Sequence, residues 1–371
     1  MHQDKDAVTG GGSRMWAACA AAFTLVAGCA PPEGGERPQS LAALETSLAG
    51  LEAVARSFPA PDDRPLGWPQ DHAPHAQQFT ESWLVAGLLR GEDGRRYGFQ
   101  LLLQRVVLQA DDAARDSAWA ASAAWQGAFS IEPEHAPRVA AERFSREALG
   151  LAGANAREQV VSAWLEDWRI EIAPDAGTGR VLGAASGGAL ELTLRLPATV
   201  PAGTAADARR GYWWPGLDAD GMLQIGGRSL AVRGSALLDR SWGQAPPVGR
   251  GQLALARVWT HTEEGTAMHC EALRRRGGGG VPLGGCTEFP SGRSLDRLPE
   301  PTEAAATAAR GGQSPLEWNV PAPGTAVPGR WAPLAQPGDV GTAWSGVIVP
   351  AAEDAGGDQW GLLSLSNFAA P

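Results

Sequence analysis

Lysine is almost missing from this chain: Lys5 is the one example, and the other 30 of its 31 basic residues are arginine. Alanine and glycine are abundant in turn, a skew that reads as the coding bias of a GC-rich genome. Positive charge is also short. The 41 acidic residues leave a formal net charge of −10 and a pI near 5.2, which argues against nucleic acid as a partner, because phosphate binding needs a basic face. Beyond the N-terminal segment no run approaches the length of apolar sequence that a membrane-crossing helix needs. Cys270 and Cys286 each lack the close second cysteine that a zinc site uses, and Pro74 interrupts any helical pairing of His72 with His75. There is no Gly-x-Ser-x-Gly elbow and no phosphate loop, so neither a metal nor a cofactor is expected.

What is present begins at the N-terminus. Lys5 and Arg14 precede residues 15–26 (MWAACAAAFTLV), a run with the length of a signal-peptide core rather than of a span. Val26-Ala27-Gly28-Cys29 then places small residues before a cysteine, the pattern that lipoprotein signal peptidase accepts. Residues 1–28 read as the leader, whether translation starts at Met1 or Met15, with Cys29 as the lipidated residue. Residues 29–40, rich in proline and glycine, follow as a tether. The expected location is the periplasm, with the chain held at the outer membrane by its lipid. Export leaves Cys270 and Cys286, 16 positions apart, either to close one disulfide or to remain as buried thiols.

Residues 41–58 carry Leu41, Leu44, Leu48, Leu51, Val54 and Phe58 at three- and four-residue steps, so they read as a short helix ended by Pro59. Its apolar stripe docks on the following domain or offers a seam to a partner helix. Downstream the period becomes two. Leu190, Leu192, Leu194 and Leu196 alternate with polar residues, and Gly226-Gly227 separates Leu223 and Ile225 from Leu230 and Val232 as a hairpin turn would. Residues 97–108 and 253–259 are further strands. Many short strands with frequent turns predict an all-β fold, a barrel or a sandwich.

Several words of the sequence resemble the family of carotenoid 1,2-hydratase (hydroxyneurosporene synthase) and AttH-like proteins. They are Glu81-Ser82-Trp83 with Tyr97-Gly98-Phe99-Gln100, then Phe144-Ser145-Arg146-Glu147 with Leu149-Gly150-Leu151-Ala152-Gly153, and then Trp164-Leu165-Glu166-Asp167-Trp168. Gly211-Tyr212-Trp213-Trp214 and Asp239-x-x-Trp242-Gly243 follow, and Trp344-Ser345-Gly346 comes near the end. The resemblance implies two lipocalin-like (calycin-type) β domains, residues 70–243 and 252–371, joined near residues 243–251. It implies an apolar or amphipathic, isoprenoid- or lipid-like ligand. The 15 tryptophans, against 2 tyrosines and 8 phenylalanines, suit such a pocket. The candidate ligand-binding residues are Glu81, Trp83, Trp213, Trp214, Trp242 and Trp344.

In such hydratases a carboxylic acid protonates an isolated double bond, aromatic faces stabilise the cation, and water adds. Asp239 matches the acid, with Tyr212 as its aromatic neighbour in the catalytic role. The chain departs from the family pattern at Arg240 and Ser241, where a histidine and a glutamate are usual. It departs also at Leu237, in place of an aromatic, and at Ser122 and Gly127, in place of a histidine and an aspartate. An arginine beside the acid is expected to favour its ionised form. The pattern therefore favours a binding module over a hydratase, and relatives encoded beside ABC permeases add a transporter accessory as a third reading. Cys29→Ser should abolish incorporation of labelled palmitate into the exported chain, and retained labelling would contradict the lipobox reading.

Overall fold

The computed structural model describes residues 55–108, 121–198, 201–206, 208–244, 253–262, 265–276, 281–295, 297–310, 314–321, 328–337, 343–351 and 357–368. The leader, Cys29, the tether, most of the expected 41–58 helix and nearly all of the candidate linker lie outside the described residues.

The first sheet is built from β1 (Thr80–Gly91), β2 (Arg96–Val107), β3 (Ala123–Pro133), β4 (Val139–Arg146), β5 (Ala152–Arg157) and β6 (Val160–Leu165). It continues through β7 (Trp168–Ala173), β8 (Thr178–Ala185), β9 (Gly188–Arg195), β10 (Ala202–Ala206), β11 (Arg209–Ile225) and β12 (Arg228–Gly243). Neighbouring strands run in the order β4-β3-β2-β1-β12-β11-β9-β8-β7-β6-β5, with β10 added to β11. The strand expected at residues 190–196 is β9, and that at 97–108 is β2. Gly226 and Gly227 both have positive φ (57° and 75°), as the two-residue turn joining β11 to β12 requires.

The sheet coils into a nearly closed barrel. Glycine permits the close approach across its interior: a side chain on Gly183 would start 2.4 Å from the Phe129 ring, and one on Gly127 would meet Leu165 and Trp168. The interior is filled by Trp83, Val85, Phe99, Leu101, Trp125, Phe129, Trp168, Leu192, Leu194 and Leu238, among others.

A second, half-barrel sheet follows from β13 (Leu253–His261), β14 (Ala267–Arg275), β15 (Leu283–Phe289), β16 (Ser294–Leu295), β17 (Glu300–Pro301), β18 (Trp318–Val320), β19 (Gly329–Pro333), β20 (Ala343–Pro350) and β21 (Trp360–Ser366). Their order is β16-β15-β14-β13-β21-β20-β19-β18-β17, and one helix, α1 (Glu303–Arg310), leads into β18. Val258, Met268, Trp318, Trp344 and Leu363 form its own core. Cys270 and Cys286 stand opposite each other on β14 and β15 and are joined by a disulfide within that core.

The two sheets pack face to face. Leu84, Ala86 and Leu88 of β1, Leu237 of β12 and Trp213 of β11 meet Trp259, Leu334, Val347, Trp360 and Leu362. Polar bonds fix the seam: Val347 N–H donates to Glu132 at 2.8 Å, Gln100 and Ser345 exchange bonds of 3.0 and 2.8 Å, and Trp360 Nε1 donates to Ser235 at 2.7 Å. The central strands are thus buried on both faces, which makes β1 read as a nearly continuous apolar run rather than a clean alternation. Opening the disulfide in Cys270→Ala/Cys286→Ala should lower stability by about 3 kcal/mol in denaturant unfolding, since it closes a short loop. An unchanged midpoint would contradict this.

Candidate functional site

Successive residues of β1, β11 and β12 alternate between the barrel interior and the seam between sheets. Glu81 and Trp83, Tyr212 and Trp214, and Arg240 and Trp242 point into the barrel, whereas Trp213 and Asp239 point into the seam. Trp344 belongs to neither group and lies in the half-barrel core. The sequence-predicted residues therefore divide into two clusters on opposite faces of one sheet.

The barrel-side cluster lies under a plug formed by residues 64–79. Arg240, with no exposed side-chain surface, donates to Glu81 at 2.5 Å and to the carbonyl of His72 at 3.2 Å, and its guanidinium lies 4.3 Å over the Trp83 ring. Glu81 also accepts from the backbone N–H and ring of His75, each at 3.1 Å, and faces Arg105 at 3.6 Å. Burial opposes ionisation of Glu81, but Arg240, His75 and Arg105 together hold its carboxyl below the ordinary range. His75 stacks on Trp242 at 3.7 Å, and His72 shares a 2.7 Å hydrogen bond with the Tyr212 hydroxyl while stacking against Trp68 and Trp214. Arg64 closes the plug on Asp71 at 2.5 Å.

The seam cluster draws on both sheets. Asp239 stands opposite Trp213 on β11, and facing them from the second sheet are the cross-strand pairs Trp259–His269 and Arg257–Glu271. Glu271 accepts from Arg257 at 3.3 Å and from Arg209 of the first sheet, so one carboxylate joins the sheets. Burial raises the Asp239 carboxyl above its usual range, against the pull of the Arg257 and Arg209 charges. Burial lowers His269 to about 3, with Arg257 adding to the effect, so its imidazole is neutral. Burial and the nearby Arg257 charge lower Arg209 to about 10. Arg257 Nη2, Trp259 Nε1 and His269 Nε2 are buried with no hydrogen-bond partner. The Trp259 indole lies close enough to Asp239 to favour its charged form, but not in good hydrogen-bonding geometry.

Arg240 does not pair with Asp239, because it faces the opposite side of the sheet. The charges that act on Asp239 are those of Arg209 and Arg257, which sequence reasoning did not single out. The alternation of β12 was the available signal against Arg240. Nothing in sequence spacing brings Arg209, Arg257, His269 and Glu271 to one place. Among the described residues no group of three or more metal-ligating side chains occurs.

A nearly closed barrel packed on a half-barrel sheet makes the fold all-β and lipocalin-like. A family model described as AttH-like matches residues 59–343, and the chain belongs to that family. An AttH candidate from Nitrosomonas europaea is similar in structure, with a TM-score of 0.63 and 18% identity over 84% of this chain and 99% of that one. Kievitone hydratase from Nectria haematococca aligns at a TM-score of 0.48 and 11% identity, covering 84% of this chain and 96% of that one. CghA aligns at 0.44 and 16%, covering 84% and 95%. No curated protein matches the chain.

The plug should be acid-sensitive. Burial lowers His72 to about 4 from an ordinary value of 6.5, so the unfolded chain binds a proton that the folded chain refuses as pH falls between those values. Stability should drop by about 2 kcal/mol between pH 7 and pH 5 on this account. Urea midpoints of His72→Gln should lose that part of the pH dependence; an identical profile would remove His72 from the explanation.

Proposed function

We propose that this chain is a lipid-anchored binding protein of the cell envelope, held at the outer membrane, that takes an apolar or amphipathic molecule between its two sheets. The observation that carries this reading is the trio of unpartnered buried atoms, Arg257 Nη2, Trp259 Nε1 and His269 Nε2, on one face of the seam. Leaving such groups unpaired costs about 1–3 kcal/mol each, and an oxygen at the polar end of a ligand would satisfy them. Trp213, with Phe289 at 6.1 Å, and Leu84 are packed beside these atoms and would be the apolar contacts of a molecule admitted between the sheets. On the barrel side Tyr212, Trp214 and Trp242 are engaged with the plug, which favours the seam over the barrel as the place of binding.

Native mass spectrometry followed by organic extraction should find a lipid- or isoprenoid-like molecule in near-stoichiometric amount. Arg257→Met should reduce its retention at least about tenfold. A protein that arrives empty and takes up no amphiphile, or one that keeps its load in Arg257→Met and His269→Phe, would sink this reading.

The raised Asp239 carboxyl favours a second reading, a hydratase of the carotenoid 1,2-hydratase type. An acid kept protonated by burial would donate its proton to an isolated double bond, the Trp213 side chain opposite it would stabilise the cation, and water would add to the cation and return a proton to the Asp239 carboxylate. Arg257 and Arg209 work against the protonated form, which ranks this reading second. Full hydration activity in Asp239→Asn would end it.

A further inference from the structure

Residues 144–153, one of the sequence words that resemble the family, belong to neither polar cluster. They form the end of β4 and the turn into β5. There Leu149 adopts φ 54°, in the left-handed region that costs a branched, bulky residue, and Gly150 follows at φ 73°. Leu149 and Leu151 are 55% and 40% exposed, and Phe144 on the adjoining strand is 39% exposed.

The turn is rigidly held. Leu151 N–H donates to Ala148, Glu166 N–H donates to Leu151, and Trp164 Nε1 donates to Gly150 at 3.0 Å. The Trp164 ring covers Gly153, where a side chain would start 2.7 Å from it. Glycine at position 149 would remove both the backbone strain and the exposed apolar surface. A leucine there keeps both, beside the exposed Leu151 and Phe144.

The position of this tongue names the contact. Glu147 N–H donates to Ala123, and Ala123 packs with Ala55, Phe58, Phe79, Val106 and Val107. Ala55 is the first described residue after Cys29 in the sequence, so the tongue shares the barrel end at which the described chain begins. Strand register puts the plug at that end as well: Thr80 pairs with Val106 and Gly243, and Ala124 with Arg146.

We propose that Leu149 and Leu151 insert into the surface of the lipid bilayer to which the chain is tethered, as a second attachment that turns the plugged end of the barrel toward the membrane. The choice of a bilayer as partner rests on the reading of Cys29 as lipidated. The net charge of −10 opposes attraction to anionic headgroups, so the contact is apolar and insensitive to salt.

The test uses the processed chain from position 29 onward with Cys29→Ser, which carries no lipid, floated with phosphatidylcholine vesicles. A reproducible fraction should float equally at low salt and at about 0.5 M NaCl, where charge attraction is screened. Leu149→Gly/Leu151→Ser should lower that fraction at least about tenfold. Leu149→Gly alone should also reduce flotation while its thermal midpoint equals or exceeds the parent's, which separates lost insertion from lost folding. Absence of flotation by the lipid-free chain, flotation unchanged by these substitutions, or flotation abolished by salt would each overturn the proposal. Palmitate labelling at Cys29 reports separately on the anchor.

Discussion

A guanidinium with no exposed surface sets the terms for one end of this molecule. Arg240 sits inside a barrel of tryptophan, leucine and valine, where an unpaired charge would cost several kcal/mol. Glu81 supplies the counter-charge from the adjacent strand, the carbonyls of His72 and Ala73 take further donors, and the Trp83 face covers the plane. Two of those partners belong to the plug, so the charge inside the barrel and the segment closing it depend on each other. The Arg64–Asp71 pair closes the plug on itself, and the His75–Trp242 stack holds it to the barrel interior.

This arrangement gives the two buried acids opposite surroundings. In β12, residues 239 and 240 are neighbours in sequence and lie on opposite faces of the sheet. The acid on the barrel side is held ionised by its partners, and the aromatics around it are stacked on the plug. The acid on the seam side is pushed toward its neutral form and lies near a neutral histidine and unpartnered donors. Glu271 keeps two arginines in place across the sheets without being their only claim on an acceptor, since Arg257 Nη2 remains open.

Much of the fold was legible because it obeys local rules. The alternation at residues 190–196, the diglycine turn and the spacing of Cys270 and Cys286 each translate into structure through one strand or one hairpin. Asp239 was legible through the family words around it. Its surroundings were not, because Arg257, Trp259, His269 and Glu271 reach it by packing of one sheet on another, which leaves no periodic trace. The plug was equally silent. His72 and His75 read as an unsuitable metal pair, and their actual partners, Tyr212 and Glu81, depend on a loop folding back into the barrel mouth.

The most direct test is a crystal structure of the chain with its copurified molecule. The account predicts density between the sheets, with a ligand oxygen within hydrogen-bonding distance of Arg257 Nη2, Trp259 Nε1 and His269 Nε2 and an apolar body against Trp213. A ligand lodged in the barrel beneath a displaced plug, with those three atoms bonded only to water, would contradict it.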